Sequence, residues 1–180
     1  MEKSDGRLDT RDYDEMFKNI EEWEETEKKV INIFKRDYIK KYGGEVQIEN
    51  YGFREKGLEK DVTKIDIEPD FIVTFSEGPF KNKRLIFEVQ GMEPDYSQFH
   101  IKLHKMDKAI QLQAFFIQMN SIGKINERYA LISPEELSKF KEKSLSFFGI
   151  VGFPGTKCRE FPNGKSAYRI KNEWLNWVFA

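Results

Sequence analysis

Two stretches of the chain, EPDFIVTF (Glu68–Phe75) and RLIFEVQ (Arg84–Gln90), are apolar enough to be buried strands, yet each carries acid at one end. Asp70 heads the first, and Glu88 with Gln90 closes the second. A carboxylate does not stay buried alone, because its desolvation costs far more than a neighbouring apolar contact returns. It is paired, or it holds a cation, and perturbed groups of this kind gather at functional sites. The turn residues Glu77-Gly78-Pro79 between the stretches make them an antiparallel hairpin. That hairpin brings the start of one strand beside the end of the other, so Asp70, Glu88 and Gln90 converge.

Along the third strand side chains alternate, which puts Leu85, Phe87 and Val89 on one face and Ile86, Glu88 and Gln90 on the other. Hard divalent cations take oxygen ligands, and Mg²⁺ is commonly held by one or two carboxylates plus water and phosphate. The first helix offers another acid. Its apolar stripe runs through Phe17, Ile20, Val30, Ile31, Phe34 and Tyr38, and Glu27 falls at the stripe's centre with Glu24 at its flank. A glutamate there breaks the pattern its neighbours obey; pairing with a nearby lysine would also explain it.

The order of elements follows from periodicity. Residues 1–12 read as a polar arm, and Asp14–Tyr42 as one long amphipathic helix stopped by Gly43-Gly44. Strands are expected over 46–53, 67–75 and 83–89, with a charged loop over 54–64 and a second loop over 91–99. His100–Met119 reads as a helix with Leu103, Met106, Ile110, Phe116 and Ile117 on its core stripe. A strand over 128–133 leads into a third helix, for which Ser133, Pro134 and Glu136 supply the N-cap, the first-position proline and the capping box. Strands from Leu145 to Phe153, a hairpin at Pro162-Asn163-Gly164 and a short helix near 172–179 complete the expectation. The whole is α-β-β-β-α-β with C-terminal additions, one domain over 13–180.

Length and composition agree with one core, since 180 residues with 39% hydrophobic and 34% charged side chains suit a filled interior under a charged surface. The net charge of −1 means that any nucleic-acid contact must come from a local basic patch. A single cysteine, Cys158, rules out an intrachain disulfide framework and fits a reducing compartment, so a cytoplasmic protein is expected. No run of apolar residues reaches membrane-spanning length, and the polar N-terminus is unlike a signal peptide.

Pro69-Asp70 followed on the next strand by Glu88-Val89-Gln90 resembles the signature of the PD-(D/E)xK nuclease superfamily, which includes restriction endonucleases and archaeal Holliday-junction resolvases. The resemblance covers about residues 14–133. It implies an α/β, restriction endonuclease-like αβββαβ core, with a mixed sheet flanked by helices, a C-terminal β-hairpin and a short helix. It implies a Mg²⁺-dependent nuclease acting on DNA, with Mn²⁺ as substitute. Asp70, Glu88, the Val89 carbonyl and Glu27 would hold the metal, and Glu24 is second choice to Glu27. The superfamily's lysine is replaced by Gln90, which can orient water but brings no charge. Some members move the lysine to the following helix, and Lys102, placed by helical angle on the apolar stripe, is the candidate here. Lys105, Lys108, Tyr96 and His100 would contact nucleic acid, and relatives of this kind often act as homodimers.

Gln90 also keeps open an alternative, a nuclease-like fold that has lost catalysis and binds nucleic acid or a protein. A third reading makes Trp174 and Trp177 a dimer patch on an interaction domain. His100 and His104 have the i, i+4 spacing of a helical metal pair but lack a third ligand, and read as surface histidines. The second Glu-Pro-Asp, at Glu93–Asp95, precedes no matching strand. Lysines and arginines at 102, 105, 108, 139, 141, 143, 157, 159, 165 and 169 read either as a phosphate-tracking surface or as a solvated face.

Overall fold

The computed structural model describes residues 13–50, 69–92, 97–153 and 165–179. The arm over 1–12, the loop over 54–64, Asp95, Tyr96, Lys157, Cys158, Arg159 and the turn at 162–164 lie outside the described residues.

Helix α1 (Tyr13–Tyr42) is long because its sequence lacks Gly and Pro throughout, and it stops where Gly43 and Gly44 take φ of 74° and 76°. Its apolar stripe is buried at Val30, Ile31, Ile33, Phe34 and Tyr38. These side chains cover one face of a sheet built from β1 (Val46–Asn50), β2 (Phe71–Phe75), β3 (Arg84–Met92), β5 (Phe115–Asn120), β6 (Arg128–Ile132) and β9 (Val178–Phe179), in the order β1-β2-β3-β5-β6-β9. Among the described residues only the β3–β5 pairing of this sheet is parallel. A parallel pair requires a crossover. Here the crossover is β4 (Gln98–Lys102) and helix α2 (Leu103–Gln111), which lie against the second face of the sheet.

The sheet therefore separates two cores. On the α1 side, Phe34 meets Phe75, Phe87 and Tyr129 with ring centroids 5.4–6.4 Å apart. On the other side Phe116, Ala130 and Ile132 pack with Phe99, Ile101, Met106, Ala109, Leu137, Tyr168 and Ile170. This second core is roofed by a three-stranded sheet of order β4-β8-β7, where β7 is Val151–Phe153 and β8 is Lys165–Lys171, and by α3 (Pro134–Phe148). The architecture is α/β, with a mixed six-stranded sheet, a three-stranded sheet and, among the described residues, three α-helices.

Several expectations hold. The β2–β3 hairpin pairs Phe71 with Phe87 and Thr74 with Arg84. At the start of α3 the Ser133 hydroxyl accepts from the Glu136 N–H, and the Glu136 carboxylate accepts from the Ser133 N–H.

Three are corrected. The helix expected over 100–119 is three elements: strand β4, the nine-residue α2 and strand β5. In β4 Phe99 and Ile101 are buried while Gln98, His100 and Lys102 are not, a two-residue period ending where Leu103 begins the 3.6-residue one. Gln113, at φ 52°, then breaks the chain away from helix. Leu145–Phe148, expected in a strand, is the last turn of α3, because Leu137 and Ser144 carry a helical stripe up to Gly149. The short helix expected at 172–179 is a 3-10 turn over Asn172–Trp174, followed by β9 on the edge of the main sheet.

Candidate metal and phosphate site

Strand β3 outruns its neighbour. β2 begins at Phe71, opposite Phe87, so residues 88–92 face an edge that β2 does not cover. Asp70 stands at that break. Its carboxylate accepts the Val89 N–H at 2.8 Å, taking the place of the next ladder carbonyl. The Val89 carbonyl on the same edge accepts from the Lys105 ammonium at 2.7 Å. A side-chain cap thus replaces strand pairing on this edge and leaves an anion and a cation where backbone would have been.

Lys105 Nζ is the centre of the cluster. It lies 3.1 Å from Asp70 Oδ2, 3.7 Å from Glu27 Oε1 and 3.9 Å from Glu88 Oε2. Lys108 Nζ lies 2.9 Å from Glu88 Oε1, and the Glu88 side chain is fully buried. Lys105 and Lys108 are i, i+3 on α2 and so share one side of the helix. Met106 and Ala109 anchor that helix in the second core.

From α1, Glu27 enters because the helix lies close on β3. A Cβ at Gly91 would stand 2.8 Å from Thr26 Cγ2 and closer still to Ile122 Cδ1, so the absence of a side chain there permits the approach. Glu24, one turn earlier, is buried, and its Oε1 makes no hydrogen bond among the described residues.

Three carboxylates face two ammoniums, and the imbalance shows in their proton affinities. Burial, reinforced by Asp70, pushes Glu27 up to about 8 and Glu88 up to about 7. Burial would raise Asp70 too, but Lys105, Lys108 and the Val89 N–H outweigh it and hold Asp70 below the usual carboxylate range. Lys105 is driven well above the usual lysine value, because the three carboxylates outweigh its own burial.

The structure thus brings together Asp70, Glu88, the Val89 carbonyl and Glu27, which the sequence singled out, around Lys105 and Lys108, to which it gave a different place. Lys102 ends β4 and is the N-cap of α2. Its placement by helical angle fails because residues 100–102 are strand. Lys105 and Lys108 stand against the carboxylates. A signal for them was present: KMDK sets two cations one turn apart beside buried Met106 and Ala109.

Gln90 shares the sheet face of Glu88, and its amide donates to the His100 carbonyl at 3.0 Å. His100 lies in β4 and His104 in α2, so they are not a helical pair. The His100 ring is half-buried, with Arg169 Nε 3.4 Å from its Nε2, and burial with that guanidinium depresses its proton affinity. Trp174 and Trp177 pack against the second core of their own chain, and the Trp177 N–H donates to the Asn172 carbonyl.

Among the described residues no three Asp, Glu, His or Cys side chains stand ready-made to hold a metal ion. The carboxylates are gathered on an ammonium instead. The donors are nevertheless those a hard cation takes: carboxylate oxygens and one carbonyl, surrounding one positive charge. Comparison with family models, curated proteins and solved structures yields no match to this chain. Among the described residues no helix is long and apolar enough to cross a membrane.

Proposed function

We propose that this chain is a Mg²⁺-dependent nuclease of the PD-(D/E)xK type that hydrolyses phosphodiester bonds in DNA. One observation carries the reading: Asp70, Glu88, the Val89 carbonyl and Glu27 all lie within 4 Å of a single atom, Lys105 Nζ. Four oxygen donors, from α1, from β3 and from the residue just ahead of β2, converge on a cation. The order α1-β1-β2-β3, a crossover through α2 and then β5 parallel to β3 supports the superfamily core, with β4 inserted before α2.

Asp70, Glu88, the Val89 carbonyl and Glu27 would hold the metal. When bound, it supplies charge neutralisation on the phosphate and acidifies water. Lys105 and Lys108 bring the positive charge that Gln90 lacks, and the low-dielectric surroundings strengthen it. Gln90, fixed by the His100 carbonyl, orients a polar group on the face of Glu88.

The same observation favours a second reading. Lys105, hydrogen-bonded at 2.7 and 3.1 Å, could be a permanent substitute for the cation in a fold that binds nucleic acid or protein without cutting. Cleavage of plasmid and linear DNA in Mg²⁺ separates the two. The nuclease reading expects activity that Asp70→Asn and Glu88→Gln abolish, and that Lys105→Ala lowers about a hundredfold or more. Metal-independent inertness of the wild-type protein, with intact DNA affinity, would establish the second.

A further inference from the structure

At the C-terminal end of α3 the aromatic side chains leave the core. Phe147 is 63% exposed, Leu145 and Ile150 are exposed beside it, and Phe148 and Trp174 are half-buried. The rings of Phe147, Phe148 and Trp174 have centroids 5.9–6.3 Å apart, and Phe140 backs Trp174 from inside at 6.3 Å. Three cations stand on these rings. Lys143 Nζ is 4.3 Å from the Trp174 centroid, Arg169 Cζ is 5.2 Å from Phe148, and Lys171 Nζ is 5.7 Å from Phe147 and 5.9 Å from Phe148. Glu173 lies 3.5 Å from Lys171 and offsets part of that charge.

A solvent-facing aromatic platform edged by lysine and arginine suits a polyanion that carries flat apolar groups. Unpaired bases stack on aromatic faces while lysine and arginine follow the phosphates. Duplex DNA keeps its bases stacked inside and offers such a platform only phosphate. The platform is also continuous with the site. Arg169 pairs with His100 across β4 and β8, and the His100 carbonyl holds Gln90, two residues beyond Glu88.

We propose that Phe147, Phe148 and Trp174, with Lys143, Arg169 and Lys171, hold single-stranded DNA beside the Asp70–Glu88 site. The link to cleavage rests on the nuclease reading; the binding itself does not.

The test is fluorescence anisotropy of a labelled oligothymidylate and of a labelled duplex, with full-length protein in EDTA so that nothing is cut. Phe147→Ala, at an exposed position, is expected to weaken single-strand binding about tenfold. Phe147→Tyr is expected to restore it, and Lys171→Ala to reduce the salt slope by about 0.7. Three results would overturn the proposal: no single-strand binding by the wild type, equal binding by Phe147→Ala, or a sedimenting dimer that Phe147→Ala dissociates. Cleavage of the same oligonucleotide in Mg²⁺ is measured separately. Single-strand binding with the oligonucleotide, plasmid and linear DNA all left uncut sinks the nuclease reading alone; cleavage with binding insensitive to Phe147 sinks this proposal alone.

Discussion

Glu88 is a fully buried acid whose Oε1 has Lys108 at 2.9 Å. At pH 8, above the value of about 7 to which Glu88 is raised, removing one partner of this buried ion pair leaves an uncompensated charge, at a cost of about 3–5 kcal/mol. Lys108→Met is expected to lose stability on that scale, and the double variant Lys108→Met with Glu88→Gln to recover most of it. Urea unfolding of the two variants checks this, and equal losses would mean that the pair is not coupled. Glu27 gives a prediction of opposite sign to the usual carboxylate. Its folded-state affinity for a proton is raised from 4.5 to about 8, and that of Glu88 to about 7. Each therefore contributes its full stability below pH 4.5 and loses it as pH rises toward 7–8. Asp70, with its affinity lowered, contributes above its unfolded value of 3.8 and loses that contribution as pH falls. In EDTA the cluster's contribution should peak in mild acid and fall toward pH 8. Glu27→Gln mimics the protonated acid and should flatten that fall, as read from denaturant midpoints across the range. A fall of unchanged size would show that Glu27 ionises freely.

At the scale of elements, the site depends on how close α1 sits to β3 and where β2 stops. Gly91→Ala places a methyl against Thr26 and Ile122 and is expected to cost about 1–3 kcal/mol, because overpacking forces one of the elements to shift. On the proposed nuclease reading, any shift that draws Glu27 off Asp70 and Glu88 lowers cleavage beyond what the loss of stability explains. Thermal unfolding beside an activity assay separates the two. The elements also show what a sequence can reveal. Asp70 and Glu88 were legible because acids inside apolar strands have few innocent explanations, and the hairpin between them needed only its turn residues. The α3 cap was legible because Ser133, Pro134 and Glu136 form a local motif. The place of Lys105 was signalled only by KMDK and was masked by the change of period, because Phe99, Ile101 and Leu103 continue one period while Leu103, Met106 and Ile110 begin another. Leu103 belongs to both, so the chain itself does not mark where strand becomes helix. The two-strand β9 pairing, made with residues about fifty positions away, had no local signature at all.

Taken whole, the molecule is a sheet with two differently used faces. One is sealed by α1, and the other carries α2, α3 and the small sheet that roofs the second core. The oxygen donors meet where the edge of β3 runs past β2, between α1 and α2, and Glu88 among them is fully buried. Rigid elements, not loops, hold Glu27, Glu88, Lys105 and Lys108, as a preorganised site requires. Whether that edge holds a metal is the central claim, and crystals soaked in Mn²⁺ and measured at its absorption edge test it most directly. The expected result is one anomalous peak between Asp70 and Glu88, with the Val89 carbonyl in contact and the Lys105 ammonium moved from its present place. An empty edge at saturating Mn²⁺, with Lys105 still bonded to Asp70 and Val89, would contradict it.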